Sequence, residues 1–218
     1  SFGAMRFGVV MRKAVVFDVG RVLFEWQLAA LFEKLIDDRD ELDWFLANVV
    51  TEEWHFEHDA GRPLDEMVPE RKAMFPDHAH LIDAYRHRFL DTIPGPVPGT
   101  AELIAQLSGR NVPLFAITNF SHEFWPPFRA EWSQLFDRFR DVVVSGDEKL
   151  VKPDPAIYRL AIKRFGIDPA GVPRPWRCRR VGFAAPAAER RRFDCQRPAA
   201  VPAKRQPLSG LRRRSALG

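Results

Sequence analysis

The sequence predicts an α/β fold, a parallel doubly wound sheet interrupted by an all-helical insertion, and three observations carry that prediction. Short apolar runs that end in polar residues occur at 14–18 (AVVFD), 112–119 (VPLFAITN) and 141–146 (DVVVSG). Segments with helical spacing separate and follow them, and strands alternating with helices imply a parallel sheet covered on both faces. No strand signal occurs between about Gln27 and Ile93, so that stretch is expected to be helical throughout.

Taken in order, Ala14 to Phe17 read as a buried strand, and Asp18 follows with Gly20 two places on. Leu28, Leu31, Phe32 and Leu35 then recur at helical spacing. Helical patterns continue through DELDWFLANVV and, more brokenly, through LIDAYRHRFLDTI. Trp44, Phe45 and Trp54 are expected to form the insertion's own core. PGPVPG (94–99) is a stiff, turn-rich return point. Thr100 is expected to cap the helix AELIAQL. Asp154 and Pro155 pair an N-cap with a first-turn proline, opening a helix whose Ile157, Leu160, Ala161 and Phe165 share one face. The division that follows is a core of 12–26 and 94–170, a helical insertion of 27–93, and a tail of 171–218.

The composition is globular, with 46% hydrophobic and 28% charged residues in a chain of 218. No run of eighteen apolar residues occurs, which argues against a membrane helix, and no basic-then-apolar leader is evident, so a cytoplasmic location is expected. The net charge of +4 is unevenly held. The tail carries twelve Arg and one Lys against Glu189 and Asp194, a net of +11, which leaves −7 for the first 170 residues. The tail also holds both cysteines, Cys178 and Cys195, and contains no Ile, Tyr, Thr, Asn, Met or His. Two cysteines make neither a disulfide framework nor a zinc quartet. The tail lacks interleaved aromatics or a recognisable motif, so nucleic acid is not an expected partner.

In open α/β sheets ligands bind beyond the C-terminal strand ends. Asp18, Thr118 and the segment leading to Lys152 all lie just past such ends, so three chemical groups distant in sequence are expected to converge. From its strand pattern alone, Asp18 could be a nucleophile, a metal ligand or a helix cap. His55 and His58 are three apart on one helical pattern; without a third identifiable ligand, a solvated helix face is expected rather than a metal site.

Taken together, FDVGRVL, AITNFS and KPDPAIY resemble the haloacid dehalogenase (HAD) superfamily of hydrolases, and three motifs in that order after apolar strands make a specific signal. The resemblance covers roughly residues 12–170. It implies a Rossmann-like parallel sheet core with an inserted α-helical cap. Within the superfamily the chain is most similar to a sugar-phosphate phosphatase branch, through Asp18 with Gly20, Thr118 with Asn119, Phe124-Trp125-Pro126, and the cap segment EEWHFEHDAGR (52–62).

What the resemblance implies is hydrolysis of a small phosphorylated substrate. Asp18 matches the nucleophile that forms an aspartyl-phosphate. Thr118, the backbone around Val19 and Gly20, and Lys152 match the groups that hold the phosphoryl anion. Asn119, His58 and Trp125 are further candidate substrate contacts. Family members add Mg²⁺, for which Asp18 and the carbonyl of Gly20 are the matching ligands, together with an acid from a fourth motif.

Two departures stand out. Gly20 occupies the position where many family phosphatases carry a general acid/base, and glycine cannot move a proton. The fourth motif is also missing: its nearest placement is RVGFAAPAAE, which puts Ala184 and Ala185 where paired acids should stand. The tail's Arg/Ala/Pro/Gly composition is open to two readings, a disordered basic tail and a shifted reading frame; a match that ends at the same point as the composition switch favours the shifted frame. The resulting chain is expected to bind Mg²⁺ poorly. Two other readings follow: a 2-haloacid dehalogenase using the same aspartate, and an inactive remnant or interaction module.

Overall fold

The computed structural model describes residues 14–167. The tail from 171 onward, with both cysteines and the candidate fourth-motif positions Ala184, Ala185, Glu189 and Asp194, lies outside the described residues, as do the outermost residues assigned to the core.

The described residues open with strand β1 (Val15–Phe17), a tight turn and strand β2 (Phe24–Glu25). An all-helical stretch follows: α1 (Ala29–Phe32), α2 (Arg39–Asn48), α3 (Glu52–Asp59), α4 (Leu64–Met74) and α5 (Ala79–Arg88), with two short 3₁₀ turns. Strand β3 (Gly95–Pro96) returns to pair antiparallel with β2. Helix α6 (Thr100–Gly109), strand β4 (Leu114–Thr118), α7 (Trp125–Glu131), α8 (Ser133–Phe136), strand β5 (Asp141–Val144), α9 (Ser145–Glu148) and α10 (Pro155–Phe165) complete the described fold. No helix among the described residues is long and apolar enough to cross a membrane.

The main sheet runs β1–β4–β5, all parallel, with β4 in the middle. Every residue of β4 is buried, the condition of a strand covered on both faces, which is why Leu114 to Ile117 read as an unbroken apolar run. Side chains alternate across the sheet. One face gathers Val16, Phe115, Ile117 and Val143 under Ile157, Ala161 and Phe165 of α10, with Phe165 stacked on Phe115 at 4.5 Å between ring centroids. Burying each of Ile157 and Phe165 contributes about 1.5–3 kcal/mol. Helix α10 begins as its sequence dictates, with the Asp154 carboxylate accepting from Ala156 N–H at 2.8 Å, and ends at Gly166 in a left-handed conformation. The other face carries Leu114, Ala116 and Val144 into a larger core that continues through Phe120, Phe128 and Phe136 to Leu31, Phe45 and Tyr85 of the helical insertion.

Insertion and sheet are joined by backbone-level contacts. Ser145 Oγ, wholly buried, donates to Asp59 C=O at 2.6 Å and accepts from Phe120 N–H at 3.0 Å. Leu64 N–H donates to Glu123 Oε1 at 2.9 Å. Gly61 has a φ of +99°, and a Cβ there would lie 3.2 Å from Gly146 O, so the turn between α3 and α4 lies directly against α9.

Three expectations need correction. Thr100 does not cap α6: Gly99, with a φ of +83°, takes the cap position, and the Thr100 hydroxyl turns back to donate to Val97 C=O at 2.7 Å. Phe45 and Trp54 are core residues, but Trp44, about 100° round α2 from Phe45, is 46% exposed. His55 and His58 are both buried rather than solvated.

Candidate active site

Register brings the site together. The pairing Phe17↔Ala116 and Thr118↔Val144 sets the ends of β1, β4 and β5 side by side. Asp18 thus emerges next to Thr118, and the loop after α9 supplies Lys152 to the same edge. The Lys152 ammonium lies 2.5 Å from Asp18 Oδ1, which also accepts from Val19 N–H at 2.8 Å. Both contacts fall on one oxygen. Oδ2 takes no hydrogen bond among the described residues, and the carboxylate is one-third exposed. Beside it Lys152 is only 13% exposed, so the pair is partly desolvated and its attraction exceeds that of a surface ion pair.

Thr118 is buried, and its hydroxyl makes a long 3.3 Å bond to Asn119 C=O. Asn119 does not present its side chain to the site. Its Oδ1 accepts from Lys152 N–H at 2.8 Å and its Nδ2 donates to Lys152 C=O at 3.1 Å, a correction to its expected role as a substrate contact.

Gly20 lies in a tight turn where Leu23 and Phe24 N–H both donate to Val19 C=O, at 2.9 and 3.0 Å. A Cβ at Gly20 would meet nothing within 4 Å, so packing does not exclude a larger residue there. Its neighbour Arg21 adopts the left-handed conformation, lays its guanidinium 4.8 Å over the Trp26 ring and pairs with Glu52 of α3. That link from the turn after β1 to the insertion had no signal in the sequence.

The remaining candidates fall inside the protein. Trp125 packs edge-on against Phe120 at 5.4 Å and Phe136 at 5.0 Å, and is 8% exposed, so it serves as core and has no free face for a substrate. His58 is wholly buried against Phe124 and His122. Burial pushes its pKa below the usual histidine value. Its Nδ1 sits 2.8 Å from Arg62 C=O, which assigns the proton to Nδ1, and Nε2 is left without a partner. A buried group that sequence reasoning missed lies nearby: His55 contacts Tyr85 Oη at 2.7 Å and Asp59 Oδ2 at 3.3 Å. Burial raises the Tyr85 pKa well above its ordinary value, so its hydroxyl stays protonated beside His55 Nδ1.

A cavity of about 450 Å³ opens where α4, α5 and α7 meet, lined by Leu64, Arg86, Phe89, Glu123 and Phe124 among others, and none of Asp18, Thr118 and Lys152 lines it. The described residues also do not complete a magnesium site. They hold no cluster of three or more metal-ligating side chains. Asp18 Oδ1 is already engaged by an ammonium, whereas Mg²⁺ requires near-octahedral oxygen ligation. Asp18 Oδ2 and the Gly20 carbonyl are two donors only.

A carboxylate at the first strand end, a hydroxyl at the second and a lysine from the loop beyond the third thus lie along one edge of the sheet. A model of the haloacid dehalogenase-like hydrolase family matches residues 12–172. The chain belongs to that family. This HAD-like hydrolase is similar in fold to a HAD family enzyme from Bacteroides thetaiotaomicron solved with magnesium and inorganic phosphate, at 18% identity and a TM-score of 0.54, covering 74% of this chain and 82% of that one. It is also similar to a HAD-hydrolase from Bacillus subtilis bound to magnesium, at 23% identity and a TM-score of 0.51, covering 70% and 74%. A structure described as a dehalogenase matches at 20% identity and a TM-score of 0.50, covering 75% and 76%. No match was found among curated proteins.

Proposed function

We propose that this HAD-like hydrolase is a phosphatase acting on a small phosphomonoester, a sugar phosphate being the expected class, through an aspartyl-phosphate on Asp18. One observation carries the reading: Lys152 and Val19 N–H both engage Asp18 Oδ1, while the carboxylate stays one-third exposed and Oδ2 takes no hydrogen bond among the described residues. A carboxylate held by one oxygen presents the other as a nucleophile. Lys152 offsets the repulsion between that carboxylate and an anionic phosphoryl group.

In this reaction Asp18 Oδ2 forms a bond to phosphorus as the bond to the leaving oxygen breaks. The leaving oxygen takes its proton from water, because Gly20 supplies none. Water then attacks phosphorus, and Asp18 departs as a carboxylate with release of inorganic phosphate. Losing a positioned acid typically costs on the order of 10²–10⁴ in rate, so substrates with good leaving groups are expected to turn over fastest. The similar enzyme from Bacteroides was solved with both magnesium and phosphate, which supports Mg²⁺ as the ion to supply. No step here runs through it, since Asp18 and Gly20 alone do not complete its site.

A second reading keeps the same aspartate. A halide leaving group needs no proton, so Gly20 also suits a 2-haloacid dehalogenase. Phosphate release from p-nitrophenyl phosphate and sugar phosphates, measured beside chloride release from 2-chloropropionate, each with and without Mg²⁺, separates the two. Chloride release alone would overturn the phosphatase reading, and neither product would favour an inactive remnant.

A further inference from the structure

We propose that Asn119 is a positioning residue that sets the Lys152 ammonium on Asp18, and that it makes no contact with substrate through its side chain. The inference rests on the reading of Asp18 as the nucleophile. It follows from how the loop carrying Lys152 is held. Between Leu150, whose N–H bonds Ser145 C=O at 3.3 Å, and Asp154, whose N–H bonds Val151 C=O at 2.9 Å, the loop has no regular secondary structure. The next residue, Pro153, has no N–H to offer. Lys152's own N–H and C=O are the groups by which its backbone can be pinned, and Asn119 engages both, at 2.8 and 3.1 Å.

A primary amide suits this task because it accepts with one end and donates with the other. Both peptide planes flanking the Lys152 Cα are thereby fixed. A lysine side chain has four freely rotating carbons, so its ammonium is placed accurately only if its Cα is. Here the ammonium ends 2.5 Å from Asp18 Oδ1. Asn119 itself follows directly on Thr118 at the end of β4, the central strand and the most completely buried of the three. The clamp therefore transfers the rigidity of the sheet to a loop that has little of its own. With both amide ends engaged, the side chain is committed to the Lys152 backbone, with one Nδ2 hydrogen and one Oδ1 lone pair to spare.

The expected consequences are specific to one lysine. In competitive acetylation of the full chain read by mass spectrometry, wild-type Lys152 reacts more slowly than the exposed Lys149. In Asn119→Ala and in Asn119→Asp, which cannot donate to the Lys152 carbonyl, its rate rises several-fold toward that in Asp18→Asn, while Lys34 and Lys163 keep theirs. An unchanged Lys152 rate overturns the proposal, and so does a rise shared by Lys34 and Lys163, which would mean a loosened fold.

A kinetic arm uses p-nitrophenyl phosphate. Asn119→Ala lowers kcat by about 10²-fold, the scale of a small misplacement of a reacting group, with KM little changed. In a Lys152→Ala background the same substitution costs less than about twofold more, because the two residues act as one unit. A raised KM with equal losses in both backgrounds would instead assign Asn119 to substrate binding. The acetylation arm needs no turnover. An inert wild type would therefore defeat the phosphatase reading alone, and Lys152 labelling would still decide this one.

Discussion

Ser145 and Ser121 are both wholly buried serines near the strand ends, and replacing each by alanine removes the same atom with very different expected results. The Ser145 hydroxyl serves two backbone groups from separate parts of the chain, Asp59 C=O at 2.6 Å and Phe120 N–H at 3.0 Å. Without it both are left buried and unpaired, at about 1–3 kcal/mol each, so Ser145→Ala should cost about 2–6 kcal/mol. Among the described residues the Ser121 hydroxyl accepts only from Phe124 N–H, at 3.1 Å, ahead of α7. That is a capping-type bond worth about 1 kcal/mol. At about 2–4 °C per kcal/mol for a domain of this size, the melting temperature should fall by roughly 4–24 °C for Ser145→Ala and roughly 2–4 °C for Ser121→Ala. Urea unfolding of both variants, followed by far-UV circular dichroism, reads the difference directly. The reasoning is refuted if Ser145→Ala loses no more stability than Ser121→Ala, since burial and chemistry are matched and only the partners differ.

Two further predictions concern Gly20 and His58. Gly20→Asp should fold, because the site has open space and no left-handed backbone, and should supply the missing proton donor. Its kcat on alkyl phosphates should rise at least about tenfold while its kcat on p-nitrophenyl phosphate barely moves; equal effects on both would contradict an acid's role. His58 is held below its ordinary pKa by burial, so the folded protein excludes a proton that the unfolded chain binds at about pH 6.5. Stability should be complete above that pH and fall as pH drops below it, with a shallower fall in His58→Gln. Identical pH profiles of the urea midpoint in the two proteins would count against this.

What the sequence made legible was whatever depended on local pattern. The strand at 114–118 could be read because a central parallel strand buries both faces and so favours apolar residues, and those at 15–17 and 141–144 because each is a short apolar, β-branched run that stops at polar residues. Asp154 and Pro155 could be read because a cap acts within one turn of its own helix. The convergence of Asp18, Thr118 and Lys152 followed from strand ends alone, and the ion pair at 2.5 Å is where that expectation led.

What escaped depended on distant partners. His55 and His58 resemble a polar helix face in sequence, yet each is buried against Tyr85, Asp59 or the Arg62 carbonyl, none of which a periodicity can anticipate. Trp125 sits in a motif that suggested a substrate contact, but its ring belongs to an aromatic cluster assembled from Phe120 and Phe136. Thr100 had the right residue type for a cap, but Gly99 had the backbone freedom the position required. Asn119 was placed at the correct edge and given the wrong task, because its partner, the Lys152 backbone, lies 33 residues away.

The central claim is that Asp18 carries the phosphoryl group, and rapid acid quenching tests it most directly. Wild-type protein mixed with excess p-nitrophenyl phosphate and Mg²⁺, quenched in acid within a turnover and digested, should yield a phosphorylated peptide whose modification maps to Asp18. That adduct should vanish together with phosphate release in Asp18→Asn. Steady phosphate release with no adduct on Asp18, persisting in Asp18→Asn, would contradict the account.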